Sequence, residues 1–271
     1  MAQSHTANPQ LSNDKLAKEI GNIYDKSVSL LSLCLQADPA LVHDGKVVSV
    51  SSRIDTAVAV AEGDPISTDT DMSVVQTDMI GTKSRNHVIL SNEILEDSME
   101  SFRLTLLEEV AQSHKRYSDA YIANLIQSAA LIPDVNVAST SALTLLDIHA
   151  ACIAVNFNGI LPDLFCSQEV YFALKDKEVE AGLLSEAGSV AGLRWVPVSI
   201  GPASASGDLV AFVGDPKDHF VVADHKLRVA LDSQSSAANA LHDQSSLFSN
   251  HRFSVGQYQS VGTGLAKITI V

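Results

Sequence analysis

Residues 91–127, SNEILEDSMESFRLTLLEEVAQSHKRYSDAYIANLIQ, decide the fold. Ser91 and Ser98 each suit a helix amino cap, the first opening a short helix and the second a long one. From Ser98 the apolar positions Phe102, Leu106, Leu107, Val110, Tyr117, Tyr121 and Leu125 hold one face. Glu100, Glu108, Gln112, Lys115 and Asp119 lie elsewhere. About thirty residues at 1.5 Å each predict a rod of roughly 45 Å, which is long for a compact enzyme of this size and suggests a strut. Upstream, Ala61-Glu62-Gly63-Asp64-Pro65 precedes a polar acidic stretch, Ser67 to Asp71. A β-like segment then runs from Met72 to Leu90, with Gly81 read as a turn or bulge. Strand, sharp boundary and long helix follow one another with no chemistry attached, which points to a structural role.

Working outward, Ser12 can cap an amphipathic helix carrying Leu16, Ile20, Ile23, Tyr24, Val28, Leu31 and Leu35, stopped by Asp38-Pro39. Lys46 to Ser52 and Thr56 to Ala61 read as extended segments joined through the polar tip Arg53-Ile54-Asp55. After Pro133 a helix from Ala142 to about Val155 is apolar on most faces, so it is expected to be central. Strands are then predicted at Leu161–Cys166, Trp195–Ile200, Leu209–Val213 and Phe220–Ala223, with a helix over Gln168–Lys177. This is a compact α/β lobe punctuated by Gly and Pro. Lys226 to Leu231 alternates again. A Ser-rich stretch, Ser233 to Ser246, precedes strands at Arg252–Tyr258 and Leu265–Val271, the last expected to pair into a sheet.

Composition bounds the function. The chain has 271 residues, 46% of them hydrophobic, enough to bury a core. Asp and Glu total 32 against 18 Lys and Arg, a formal charge of -14, which disfavours nonspecific attraction to nucleic acid or anionic membrane. Cys34, Cys152 and Cys166 are far apart, without a CxxC pair. They read as buried small residues in a reducing compartment rather than a disulfide framework or zinc site. No secretory signal is visible at the amino terminus, and the longest apolar run there, Leu30 to Leu35, is too short to span a bilayer. The reading is a soluble cytosolic chain.

The candidate chemical clusters are thin. His219 and His225 with Asp215, Asp218 and Asp224 form the densest His and carboxylate group, read as a solvated turn between strands. Asp69, Asp71 and Asp78 lack the glycine and terminal glutamate of a calcium loop. Glu108 and Glu109 near His114 would tempt an acid–base reading, but adjacent helical residues point about 100° apart. No nucleophile elbow, zincin, P-loop or dinucleotide fingerprint occurs, and Gly262-x-Gly264 lacks a following helix. The expectation is no enzyme, no catalytic residue, no metal and no cofactor.

In their order, these elements resemble the major capsid proteins of tailed bacteriophages, whose subunit fold is named after phage Hong Kong 97 and is shared with encapsulins. In that family an Ala-Glu-Gly segment closes the extended loop, here Ala61-Glu62-Gly63. A Ser-x-Glu-x-Leu-x-Asp-Ser type segment opens the long helix, here Ser91, Glu93, Leu95, Asp97 and Ser98. The resemblance covers about Val47 to Val271. It implies an α+β fold with an amino-terminal arm over 1–45, an extended loop over 46–66 and a peripheral domain with a spine helix over 67–135. An axial domain over 136–225 and a return to the peripheral domain over 226–271 complete it.

The resemblance also implies function: many copies, as pentamers and hexamers, assembling in the host bacterial cytoplasm into an icosahedral head that encloses double-stranded DNA without reading its sequence. Scaffolding, portal and decoration proteins are possible partners, and no membrane is involved. Subunit contacts are expected at Arg53, Ile54, Asp55 and Glu62. The loop is expected to reach over one neighbour and the arm Ser12 to Gln36 to pack against another. Some members carry a cleaved amino-terminal scaffolding segment. Only 45 residues precede Lys46, so a separate scaffolding protein or unaided assembly is expected. Others cross-link through a lysine near the extended loop, and between Lys46 and Lys83 no lysine stands, which speaks against that chemistry. The alternatives are an encapsulin-type compartment and, from a different class, a small-molecule enzyme with an α/β domain.

Overall fold

The computed structural model describes residues 18–20, 22–24, 29–37, 46–50, 74–91, 100–130, 132–155, 161–183, 185–201, 203–233, 244–257 and 264–271. Its axis is a helix, α2 (Glu100–Ser128), of 29 residues and so about 43 Å long. On one side lies a four-stranded sheet in the order β1-β10-β11-β4. Its strands are β1 (Leu35–Gln36), β4 (Ile80–Ser91), β10 (Phe220–Ser233) and β11 (Gln244–Gln257). A second sheet of six strands has the order β5-β12-β9-β6-β8-β7. These are β5 (Asp134–Val137), β6 (Asp163–Cys166), β7 (Ser189–Val190), β8 (Leu193–Pro197), β9 (Leu209–Gly214) and β12 (Leu265–Ile270). A hairpin of β2 (Lys46–Val50) and β3 (Val74–Asp78) stands apart as a third sheet and leads through Met79 into β4. The architecture is mixed α+β.

The six-stranded sheet is covered on both faces, and the sequence shows it. β9 reads as a continuous apolar run and is buried throughout, and β12 is buried throughout as well, its polar Lys267 and Thr269 included. Against one face pack α3 (Leu145–Ala154) and α4 (Gln168–Glu180), through Ile148, Ala151, Val170 and Leu174. Against the other pack Ile122 and Ile126 of α2, with Phe165 and Phe212 stacked 4.5 Å apart in the same cluster. The chain ends inside this sheet: β12 pairs parallel with β5 and antiparallel with β9.

Several expectations are corrected. The helix predicted from Ala142 is a 3-10 turn, Thr140–Ala142, followed by α3, which Thr144 caps through a reciprocal bond with Asp147. It is not central. Only Ile148 and Ala151 are buried on it, while Leu146 and Ile153 are 77% and 84% exposed. Gly81 lies inside β4, paired with Ser254, and the break falls at Met79 instead. Phe220–Ala223 and Lys226–Leu231 are one strand, β10, with a bulge between His225 and Arg228.

The arm does not run as one helix to Leu35. Ser29 caps a separate four-residue helix, α1 (Leu30–Leu33), and Leu35–Gln36 pair with β10 as β1. Ile20, Leu30, Leu31 and Cys34 are buried against α2 of the same chain, so this part of the arm covers its own core. The physical reason is that α2 is apolar on more than one side, and one sheet alone leaves part of it uncovered. β2 pairs with β3, and the second expected extended segment, Thr56–Ala61, lies outside the described residues.

Candidate functional site

The buried stripe of α2 is Leu107, Val110, His114, Ser118, Ile122 and Ile126, a 3-4 spacing that includes two polar residues, with Asp119 also fully buried. Tyr117, expected on the apolar face, is 44% exposed. The stripe is displaced because polar side chains are satisfied inside. The two ring nitrogens of His114 contact Ser84 Oγ of β4 at 2.7 Å and Ser249 Oγ of β11 at 2.8 Å. Asp119 Oδ1 accepts from the backbone N–H of Leu30 at 2.8 Å, tying α1 to the helix. Beside them His251 Nε2 lies 2.6 Å from Asp224 Oδ1.

This set contains serines, histidines and carboxylates, yet it is a seam between elements and not a reaction centre. His114 is 1% exposed, and burial, with His251 nearby, pushes its imidazole down to about 4. A base buried this completely is out of a substrate's reach. Burial likewise raises Asp119 to about 6. Glu108 and Glu109, which the sequence places near His114, are exposed, and Glu109 pairs with Arg116 at 3.0 Å.

The His and Asp residues of 215–225 scatter. Asp215 caps a 3-10 turn, His219 is buried, Asp224 faces His251 and His225 lies exposed on the opposite face of the sheet. Among the described residues no three potential ligands converge. Asp69 and Asp71 lie outside the described residues, and Asp78 ends β3. A cavity of about 590 Å³ beside this turn is lined by both signs of charge. There Arg194 pairs with Asp163 and Lys217 with Asp215, so the charges satisfy one another instead of aiming inward.

What remains is surface. Arg53, Ile54, Asp55 and Glu62, the expected contacts, lie outside the described residues. Their root is described: Lys46 faces Asp78 and Val50 faces Val74 in the β2–β3 register, so residues 51–73 join the end of the hairpin farther from β4. Exposed apolar side chains collect on the outer helices, with Leu146 and Ile153 on α3 and Phe172 and Val179 on α4. Sequence reasoning missed this face because it read α3 as a core helix. The signal available was the pair Leu146 and Ile153, seven residues apart on one helical side. Among the described residues no helix is long and apolar enough to cross a membrane, so membrane insertion through a helix does not explain these side chains.

No family model and no curated protein matches the chain. Solved structures do match. One from Mycobacterium phage Adephagia aligns at TM-score 0.61 with 14% identity, covering 91% of each chain. The capsid of an empty GTA particle, computed with C5 symmetry, aligns at 0.59 with 12% identity over 90% of this chain and 89% of that one. The capsid of cyanophage P-SCSP1u aligns at 0.57 with 10% identity over 90% and 88%. The chain has the fold of these phage and particle capsid subunits.

Proposed function

We propose that this chain is a structural shell subunit, the major capsid protein of a tailed double-stranded DNA bacteriophage, acting in the virion and not as an enzyme. The observation that carries the reading is coverage: about nine-tenths of this chain and of each capsid chain superpose, so the likeness is to the whole subunit and not to a shared motif. Copies meet in heterologous contacts that close as rings, and curvature closes the shell. Each contact can be weak because many act together.

On this reading the peripheral region holds α2 and the four-stranded sheet, and the axial region holds the six-stranded sheet with α3 and α4. The proposed division of 67–135 with 226–271 against 136–225 follows this except that β12 returns to the six-stranded sheet and β10 begins at Phe220. The fivefold symmetry belongs to the GTA particle. Pentamers, together with hexamers, are proposed here by likeness to it. The exposed apolar side chains of α3 and α4 supply axial contacts between copies. Residues 46–66 form the extended loop, with Arg53, Ile54, Asp55 and Glu62 at the subunit boundary. Scaffolding, portal and decoration proteins are the further partners. The capsid structures named above do not favour the encapsulin alternative.

Electron microscopy of purified protein, with nuclease treatment and extraction of particle contents, tests the proposal. Uniform icosahedral particles enclosing nuclease-protected DNA are expected from infected cells, and rings or empty shells from the chain alone. A chain that stays monomeric at every concentration, salt and partner tried, or particles that enclose a cargo enzyme, would overturn it.

A further inference from the structure

Two neighbouring rungs of the four-stranded sheet gather four cations on the face turned away from α2. In the first, Lys83 of β4 lies opposite Arg252 of β11, which lies opposite His225 of β10. In the second, Arg85 lies opposite Asn250, which lies opposite Arg228. Alternate residues of a strand share a face. The bulge between His225 and Arg228 adds one residue, so that these two, and not His225 and Leu227, share it. Lys83, Arg85, Arg228 and Arg252 are all exposed, whereas Ser84, Ser249 and His251 on the other face of the same strands are buried. A groove of about 760 Å³ is lined by Lys83, His225, Arg228 and Arg252, with Gly81, Thr82 and Ser254 beside them.

Nothing among the described residues neutralises this patch. Arg85 donates to Asn250 Oδ1 at 3.2 Å, an uncharged acceptor. Desolvation, and then the charges of Arg85, Arg252 and Arg228, lower the Lys83 ammonium from its ordinary value. Like charges directly opposite on a sheet repel. A chain of net charge -14 that concentrates cations this way has built a receptor for an anion.

The same chain holds the complement. Between Ile54 and Thr82 stand Asp55, Glu62, Asp64, Asp69, Asp71 and Asp78, with no lysine or arginine. Four of these carboxylates fall within Glu62–Asp71. That segment joins the end of the β2–β3 hairpin away from β4, whereas the basic rungs lie on β4 itself beyond Met79. We infer that the basic face of β4, β11 and β10 receives the acidic segment Glu62–Asp71 of a second copy of this chain. The inference rests on the shell-subunit reading for its geometry. Nucleic acid is the other polyanion, and the overall charge of the chain opposes it.

The test uses a fluorescent peptide spanning Val60–Ser73 and the full chain. Fluorescence anisotropy is expected to show binding at low ionic strength. R228E/R252E, and the milder R228Q/R252Q checked for native circular dichroism, should weaken it about tenfold or more, and raising the salt from about 50 to 500 mM should do likewise. In assembly, R228E/R252E and D69K/D71K should each prevent particles, and the quadruple variant should restore them. No peptide binding, no effect of the arginine changes, or no rescue overturns the inference. So does a DNA duplex that binds the same arginines while the peptide does not. If the wild-type chain binds the peptide through these arginines yet never forms particles, the shell reading fails and the pairing stands.

Discussion

The Lys267 ammonium donates to the carbonyl of Gln127 at 2.9 Å, and to that of Ala129 at 3.1 Å. These carbonyls lie at the carboxyl end of α2, whose last turn contains no basic residue of its own. β12 therefore supplies, from far away in sequence, the cation that a helix end favours. One buried side chain thus joins the long helix to the six-stranded sheet. Changing Lys267→Met keeps the stem and removes the donor. We expect a loss of about 1.5–3 kcal/mol, the range for a hydrogen bond to a charged group, read as a lower urea midpoint at unchanged slope.

A second joint lies where β9 meets β12. Gly214, at φ +135, approaches the Gly264 backbone so closely that an added Cβ would meet the Gly264 carbonyl, and a Cβ on Gly264 would meet the side chain of Asp218. Neither obstacle is the far end of a flexible side chain. Gly214→Ala and Gly264→Ala should each cost about 3 kcal/mol or more. In a thermal melt both should unfold well below the wild-type chain. A native-like melting temperature for either would contradict the packing described.

The three thiols give a cheap probe of the fold. Burial raises Cys34 above the ordinary thiol range and Cys166 to about 12, and it also raises the half-buried Cys152. The thiolate is the reactive form. Iodoacetamide at pH 8 followed by mass spectrometry should leave Cys34 and Cys166 unmodified in the native chain, with only slow reaction at Cys152. All three should react in denaturant. Rapid native labelling of Cys34 would show that α1 does not stay docked.

The long helix, the strand leading to it and the buried terminal strand were legible because each is written in local pattern. α2 has helical spacing over many turns, and β12 alternates Ala266, Ile268 and Ile270 with Lys267 and Thr269, a period of two. The face of α2 was not legible. A periodicity counted on apolar residues passes over His114 and Asp119, which Ser84, Ser249 and the Leu30 N–H reach from distant strands and from α1, and over the buried Ser118, whose hydroxyl donates to the Lys115 carbonyl of its own helix. α3 misled for the converse reason, since Leu146 and Ile153 are apolar and exposed. On the proposed shell-subunit reading, neighbouring copies would cover this apolar surface. The basic rungs were hidden too, because a bulge in β10 and two long-range pairings bring the four cations together.

The buried polar seam predicts an unusual pH response. In the unfolded chain Asp119 titrates near 3.8, and burial moves it to about 6 in the native state. Between those values the native chain binds the extra proton, so its stability rises as pH falls from 6 towards 3.8. His114 moves the other way, from 6.5 to about 4 on burial. Here the unfolded chain binds the extra proton, so stability falls as pH drops from 6.5 towards 4. Each term is on the order of 2–3 kcal/mol at 1.36 kcal/mol per pKa unit, opposite in sign and in the same window, so the two offset one another. Asp119→Asn removes one side of the balance while leaving an oxygen to accept from Leu30. Relative to wild type, this variant should lose about 2–3 kcal/mol between pH 7 and pH 4. His114→Gln should shift by a similar amount in the opposite direction. Urea denaturation at pH 7, 5.5 and 4 reads both, and profiles that run parallel to the wild type would show that neither group titrates as its burial requires.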